Sequence, residues 1–280
     1  MFGAILGDII GSPYEFNANN YKAKDFPLFC DRSEFTDDTV MTLAVAQALM
    51  NAEEGEDLKA RLVRSMQSIG RRYPYCGYGG RFFHWMFSKD PKPYESYGNG
   101  SGMRVSSVAW LCDDLESVRN LARITASVSH NHPEGYKGAE AIASAIFLAR
   151  TGSTKDEIRD YIVQEFGYDL SRTCDEIRPT YRMDETCQGS VPEAITAFLE
   201  GTDFEDVIRT AVSLGGDSDT IADMAGAIAE GFYGVPGDLK KECMERLPLD
   251  LREILRQFCE RTVTSPDYRT VSVREYNQKP

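Results

Sequence analysis

Apolar residues in this chain recur at the helical period almost throughout, and that pattern most constrains its fold. Ile221, Met224, Ala225, Ile228, Ala229 and Phe232 fall at i, i+3, i+4, i+7, i+8 and i+11, one continuous stripe on a helix face. Met41, Val45, Ala48 and Leu49 repeat the pattern, as do Ala139, Ile142, Ala143 and Ile146. Alternating strand patterns are nearly absent, and only the tail from Tyr268 to Tyr276 reads as a strand. The helices are rich in Ala and Gly, which lets helix axes approach closely and marks them as central and buried. Within SVPEAITAFLEG, Ser190 is the expected cap, Pro192 lies in the expected first turn and Gly201 is the expected stop. With no low-complexity linker and no solenoid repeat, residues 1–280 read as one compact all-α domain.

Charge narrows the function. Across 280 residues the formal net charge is −13, which argues against binding a nucleic-acid backbone, since that needs a basic face. Seven cysteines without a CxxC pair read as free thiols in a reducing cytosol. The start, MFGAILGDIIGSPYEF, has no basic leader, and Asp8 breaks its apolar run. Neither a signal peptide nor a membrane anchor is expected.

Two helices open on acidic knots, FTDDT at Phe35–Thr39 and DSDT at Asp217–Thr220, the second behind Gly215 and Gly216. One aspartate per helix start is ordinary capping; Asp37 with Asp38, or Asp217 with Asp219, is more than capping needs. In an extended entry segment Asp217 and Asp219 would point to the same side. Two like charges about 4 Å apart repel by roughly 4 kcal/mol at an effective dielectric near 20. Four carboxylates brought together would need cations, and all-oxygen ligation suits Mg²⁺, Mn²⁺ or Ca²⁺ rather than zinc. An EF-hand starting at Asp217 fails, because Ile221, Ala222 and Ile228 stand where an oxygen ligand, Gly and Glu are required. A DxD-type phosphohydrolase is an alternative, although VSLGG is a poor strand and the Thr comes one place early.

Three other segments could complete a site. YGNGSGMR, Tyr97 to Arg104, offers approachable backbone N–H groups before an apolar helix, a phosphate cradle or a simple turn. SHNHPEGYKG places His130 and His132 before another helix, as polar contacts to a ligand or to the backbone. From Tyr73 to Tyr97 the chain holds nine aromatics among Gly and Pro, read mainly as a packed loop with a short helix at GGRFFHWMF.

In this order, GAILGDIIGSPYEF, FTDDT, GYGG, YGNGSGMR, SHNHPEGYKGA and LGGDSDT resemble the ADP-ribosylglycohydrolase family, related to the dinitrogenase reductase activating glycohydrolase. The resemblance spans roughly residues 3 to 234. It implies an orthogonal helical bundle with two Mg²⁺ or Mn²⁺ ions at helix N-termini. The implied ligands are Thr36, Asp37, Asp38, Asp217, Asp219 and Thr220, with Glu15 beside the metals and the scissile bond. Ser96 and Tyr97 match diphosphate and adenosine contacts; Gly77, Gly79, Asn99, Gly100 and His130 would line an ADP-ribose groove. The implied catalytic residues are Glu15, Asp38 and Asp219, the substrate an ADP-ribosylated protein or an ADP-ribose-containing small molecule. The first-choice linkage is arginine. A rival reading is a non-catalytic ADP-ribose binder, but such a relative should have lost a metal position, and all six are kept.

Overall fold

The computed structural model describes residues 1–16 and 20–263, and among them the regular structure is helical with no strand. The chain opens with α1 (Phe2–Gly11), a 3₁₀ turn (Ser12–Tyr14), α2 (Asp37–Met50), α3 (Leu58–Gly70) and α4 (Gly80–Phe87). Next come α5 (Gly100–Met103), α6 (Ser106–Leu111), α7 (Leu115–Ser127), α8 (Pro133–Arg150), α9 (Lys155–Phe166) and α10 (Cys174–Ile177). The last five are α11 (Cys187–Glu200), α12 (Phe204–Val212), α13 (Ser218–Tyr233), α14 (Gly237–Arg246) and α15 (Leu249–Val263). The expected tail strand, Tyr268 to Tyr276, lies outside the described residues.

The two helices that carry the acidic knots are central. Nearly every side chain of α2 is buried, and α13 is buried from Ser218 to Ala229. Helix α13 packs on α1, α8, α11 and α12, so its apolar residues meet neighbours on most sides. Its contact with α1 is backbone to backbone. A Cβ on Gly3 would lie 2.1 Å from Gly226 O, and one on Gly7 only 2.0 Å from Ala222 O. The Gly3–Gly7–Gly11 spacing of four keeps these residues on one face, and at its end a Gly11 Cβ would lie 2.5 Å from Asp219 Cα. Close packing of α1 thus brings Asp8 and the following turn to the start of α13.

Two local expectations change. The cap of α11 is Thr186, whose hydroxyl accepts from Gly189 N at 3.1 Å, while Ser190 Oγ donates back to Thr186 O at 2.8 Å. Pro192 therefore sits inside the helix rather than in its first turn, and Gly201 ends it as expected. The reason is that Cys187–Gly189 already wind as a turn above the SVPE segment, tied by Cys187 N to Tyr97 O at 2.9 Å. Asp217 is the N-cap of α13 and Ser218 is already helical, so the entry to Asp219 is not extended. The tight turn falls before it, where Gly215 and Gly216 take φ of 71° and 70°, a region that favours glycine. All seven cysteines are free thiols.

Candidate active site

The two acidic knots meet at one end of a cavity of about 290 Å³. Asp8, an apolar-run oddity in the sequence, organises the first knot. Its buried carboxylate accepts from Thr36 N (2.9 Å), Thr36 Oγ1 (2.8 Å), Thr39 N (3.1 Å) and Thr39 Oγ1. Burial nevertheless pushes its pKa up to about 6, against the lowering effect of those donors. Thr36 caps α2 through Oγ1, which accepts from Asp38 N at 3.3 Å. Asp37 N donates to Cys76 O at 2.7 Å, which ties the GYGG loop to the knot. Gly77, at φ 96°, passes so near that a Cβ there would lie 3.2 Å from Asp37 Oδ1.

At the second knot Asp217 Oδ2 accepts from Asn99 Nδ2 at 2.6 Å, and Ser218 Oγ donates to Gly11 O at 3.1 Å. Although the segment is helical rather than extended, Asp217 and Asp219 still converge. One carboxylate oxygen from each of Glu15, Asp217 and Asp219 lies within 4.8 Å of the others. Burial, and then neighbouring carboxylates, push Asp37, Asp38 and Asp219 well above the usual carboxylate range. Burial followed by Asp217, Asp8 and Glu185 raises Glu15 to about 8. Asp38 Oδ2 is buried with no hydrogen-bond donor.

Those observations fit a cation. Carboxylates resist ionising together here because burial and their own repulsion outweigh the hydrogen bonds they accept. A divalent ion bound by oxygen atoms would supply the missing positive charge. The buried acidic cluster can hold a metal.

The rest of the cavity is different in kind. Ser96, Gly98, Asn99 and Gly100 line it together with Arg81, Tyr94, Arg104 and His130, and Gly77 and Gly79 are also in its wall. The Gly98–Gly100 turn is fastened by Asn99 N donating to Glu185 O at 2.8 Å. Burial, then the charges of Arg104 and Arg81, hold His130 well below the usual imidazole range, so it is neutral. One end of the cavity is acidic, and the other offers neutral donors and guanidinium groups.

Most of the residues singled out in the sequence converge here: Glu15, Asp37, Asp38, Asp217, Asp219, Thr220, Gly77, Gly79, Ser96, Asn99, Gly100 and His130 all line the cavity. Two do not. Thr36 stands behind the wall with its hydroxyl on Asp8. Tyr97 is 46% exposed and lines an adjoining depression with Ser96, Gly98 and Arg81, its ring centroid 5.3 Å from that of His132. His132 caps α8 by accepting from Glu134 N at 3.1 Å, a backbone role. The aromatic segment divides as well. Tyr78, Phe82 and Trp85 stack in series, and Phe82 and Tyr94 reach the cavity.

Sequence reasoning misses three charged residues. Asp8 reads there only as a break in an apolar run. Asp223, one turn beyond Asp219 on α13, is fully buried with neither carboxylate oxygen hydrogen-bonded. Arg104 is 1% exposed at the cavity wall. Asp8 and Asp223 share a signal, a charged residue inside an otherwise apolar helical stretch, whereas Arg104 lies in the turn between α5 and α6 and carries none.

Known proteins resemble this chain over most of its length. The sequence profile of the family described as ADP-ribosylglycohydrolase matches residues 1–270. The chain is 30% identical to ADP-ribosylhydrolase ARH3 of Mus musculus, covering 86% of this chain and 85% of that protein. It is 25% identical to ADP-ribosylarginine hydrolase Tri1 of Pseudomonas putida (strain GB-1), covering 85% and 70%. A solved structure titled "ADP-ribosylglycohydrolase-related protein complex" superposes with a TM-score of 0.65 at 24% identity, over 92% of this chain and 95% of that one, and so shares the fold. No helix among the described residues is long and apolar enough to cross a membrane. The chain therefore belongs to the ADP-ribosylglycohydrolase family, and it is a glycohydrolase.

Proposed function

We propose that this protein is a metal-dependent hydrolase that removes ADP-ribosyl groups from protein side chains, with arginine as the linkage. The observation that carries the reading is the division of one cavity into a buried carboxylate end and a Gly-rich end with His130 and Arg104. The first suits a cation and a reacting ribose; the second suits a diphosphate. Asp37, Asp38, Asp217, Asp219 and Thr220, which line the cavity, would hold two Mg²⁺ or Mn²⁺ ions, and Thr36 would join them only by turning its hydroxyl away from Asp8. When bound, such ions lower the pKa of water and orient the ribose diol.

The chain's own residues would do the rest. Glu15, ionised once positive charge offsets the neighbouring carboxylates that raise it, takes a proton from the attacking water. The water oxygen forms a bond to the anomeric carbon of the distal ribose as the bond from that carbon to the side-chain nitrogen breaks, and the departing guanidine gains a proton. Positive charge developing on the ribose is stabilised by the surrounding carboxylates. His130 and the Gly98–Gly100 turn anchor the diphosphate, and Tyr97 supports the adenine from the adjoining depression.

The arginine linkage draws support from two further carboxylates: Glu15 and Glu185 both line the cavity, near enough for Glu185 to help raise Glu15, and would attract a guanidinium. One relative is named an ADP-ribosylarginine hydrolase. We place the activity in the cytoplasm, within a single domain over residues 1–280. The test is to incubate the Mg²⁺-loaded protein with arginine-linked and serine-linked ADP-ribosyl peptides, O-acetyl-ADP-ribose and ADP-ribose polymer. Preferential release from arginine supports the reading; faster release from another linkage overturns the arginine assignment, and release from none overturns the function.

A further inference from the structure

The acidic end of the cavity draws attention first, yet the opposite wall holds an arrangement that the reaction above does not require. Arg104 is 1% exposed, lines the cavity and pairs with no carboxylate among the described residues. A guanidinium has donors and no acceptor. Its Nη2 donates to Thr125 O at 3.2 Å and to Ser129 Oγ at 2.8 Å. Ser129, itself fully buried, lies with Oγ 2.8 Å from His130 Nδ1.

These contacts fix where the protons are. Ser129 Oγ already accepts from Arg104, which leaves its own hydrogen to be placed. Among the described residues the one acceptor within reach is His130 Nδ1. If Nδ1 carried the proton instead, the buried hydroxyl hydrogen would lose its acceptor, an expensive arrangement. Nδ1 therefore accepts, and in a neutral ring the proton sits on Nε2. Nε2 faces the glycine turn: a Cβ on Gly100 would lie 3.2 Å from it, and one on Gly98 3.6 Å. Both glycines line the cavity, so their missing side chains leave the Nε2 edge open to it.

We propose that Arg104 and Ser129 lock His130 into its neutral Nε2–H tautomer, so that the imidazole presents a permanent donor to the anionic diphosphate of an ADP-ribosyl ligand. Arg104 and Ser129 are positioning residues that act through His130. Arg104 also brings a buried positive charge to the wall where the diphosphate sits, in a chain whose net charge is −13. A histidine free to exchange tautomers would present a lone pair to the phosphate oxygens part of the time, and that state repels the ligand. The ligand half of this proposal rests on the functional reading above; the tautomer half does not.

The test uses full-length protein labelled with ¹⁵N-histidine and long-range ¹H–¹⁵N NMR, with ADP-ribose titrated in the presence of Mg²⁺. There are three histidines, so the His130 signals are assigned by their loss in His130→Gln. In wild type, His130 is expected to show a protonated Nε2 and an unprotonated Nδ1, without ligand. In Ser129→Ala the ring should populate both tautomers, with His84 and His132 unchanged, and the ADP-ribose Kd should rise about 10-fold. The wild-type spectrum decides the tautomer even if the variant fails to fold. Protonation at Nδ1 in wild type, or an unchanged tautomer and affinity in folded Ser129→Ala, overturns the proposal. The expected tautomer in a wild-type protein that binds no ADP-ribose overturns the functional reading and with it the diphosphate assignment.

Discussion

In the proposed site Asp8 is a structural carboxylate, whereas Asp38 and Asp219 are metal ligands, a contrast that single substitutions test. Both are buried, and burial followed by neighbouring carboxylates raises both pKa values. Asp38→Ala and Asp219→Ala should therefore abolish turnover while the metal-free melting temperature holds or rises, because each removes a source of repulsion. Turnover at the wild-type rate in either variant, measured at limiting metal, contradicts their role. Asp8 should behave oppositely. Its oxygens satisfy donors from Thr36 and Thr39, so Asp8→Asn turns an amide N–H₂ toward those donors and should cost about 1–3 kcal/mol of stability, read from denaturant unfolding. Tyr97 is a third case. Its ring is nearly half exposed, so Tyr97→Ala should cost little stability yet weaken ADP-ribose binding by about 1–3 kcal/mol, whereas Tyr97→Phe retains it. Calorimetric titration checks both variants, and unchanged affinity in Tyr97→Ala returns the ring to a packing role.

Among the elements, the crossing of α1 and α13 sets the site. Gly7→Ala would press a methyl group onto the backbone at Ala222 and Asp223, a contact that no rotamer change can relieve. It should cost about 1–3 kcal/mol or more and loosen metal binding, because the same crossing holds Gly11 against Asp219. Gly237→Ala, with open space around the added carbon, is the matched control and should be near neutral in thermal unfolding. The helices themselves are legible in the sequence because buried apolar faces leave a 3.6-residue period, as in Ile221–Phe232 and Ala139–Ile146. Their crossings are less so. Gly3, Gly7 and Gly11 stand four apart in the sequence, but only the partner helix shows that this face touches backbone. Ser190 and Pro192 look like a helix start, yet Thr186 starts α11 because the chain there is tied to Tyr97. Asp37, Asp38, Asp217 and Asp219 are conspicuous as pairs. Asp8 and Asp223 are not, since one charge in an apolar run looks alike whether it faces a cavity, a neighbour or solvent, and Arg104 sits in a turn between two short helices, where a charge is ordinary.

For the whole molecule, the proposed metal site in the acidic cavity should make stability depend on protons and metal together. Glu15 rises from its ordinary 4.5 to about 8 in the fold, and Asp38 and Asp219 rise well above theirs. Between about pH 4.5 and about pH 8 the folded cluster holds protons that the unfolded chain releases. Its contribution to stability therefore falls as pH rises through that window. Metal-free protein should melt at lower temperature toward pH 8, and Mg²⁺ should raise the melting temperature most at that end, where it replaces protons. Thermal melts across the window, with and without a chelator, check this; a metal-free protein that gains stability toward pH 8 with no response to Mg²⁺ contradicts it. ADP-ribose release from an arginine-linked ADP-ribosyl peptide decides whether this cluster makes the cavity a metal-dependent ADP-ribosyl hydrolase. Protein stripped by chelator should release none, and stepwise addition of Mg²⁺ or Mn²⁺ should restore release in wild type but not in Asp219→Ala; full release by the stripped protein would contradict the account.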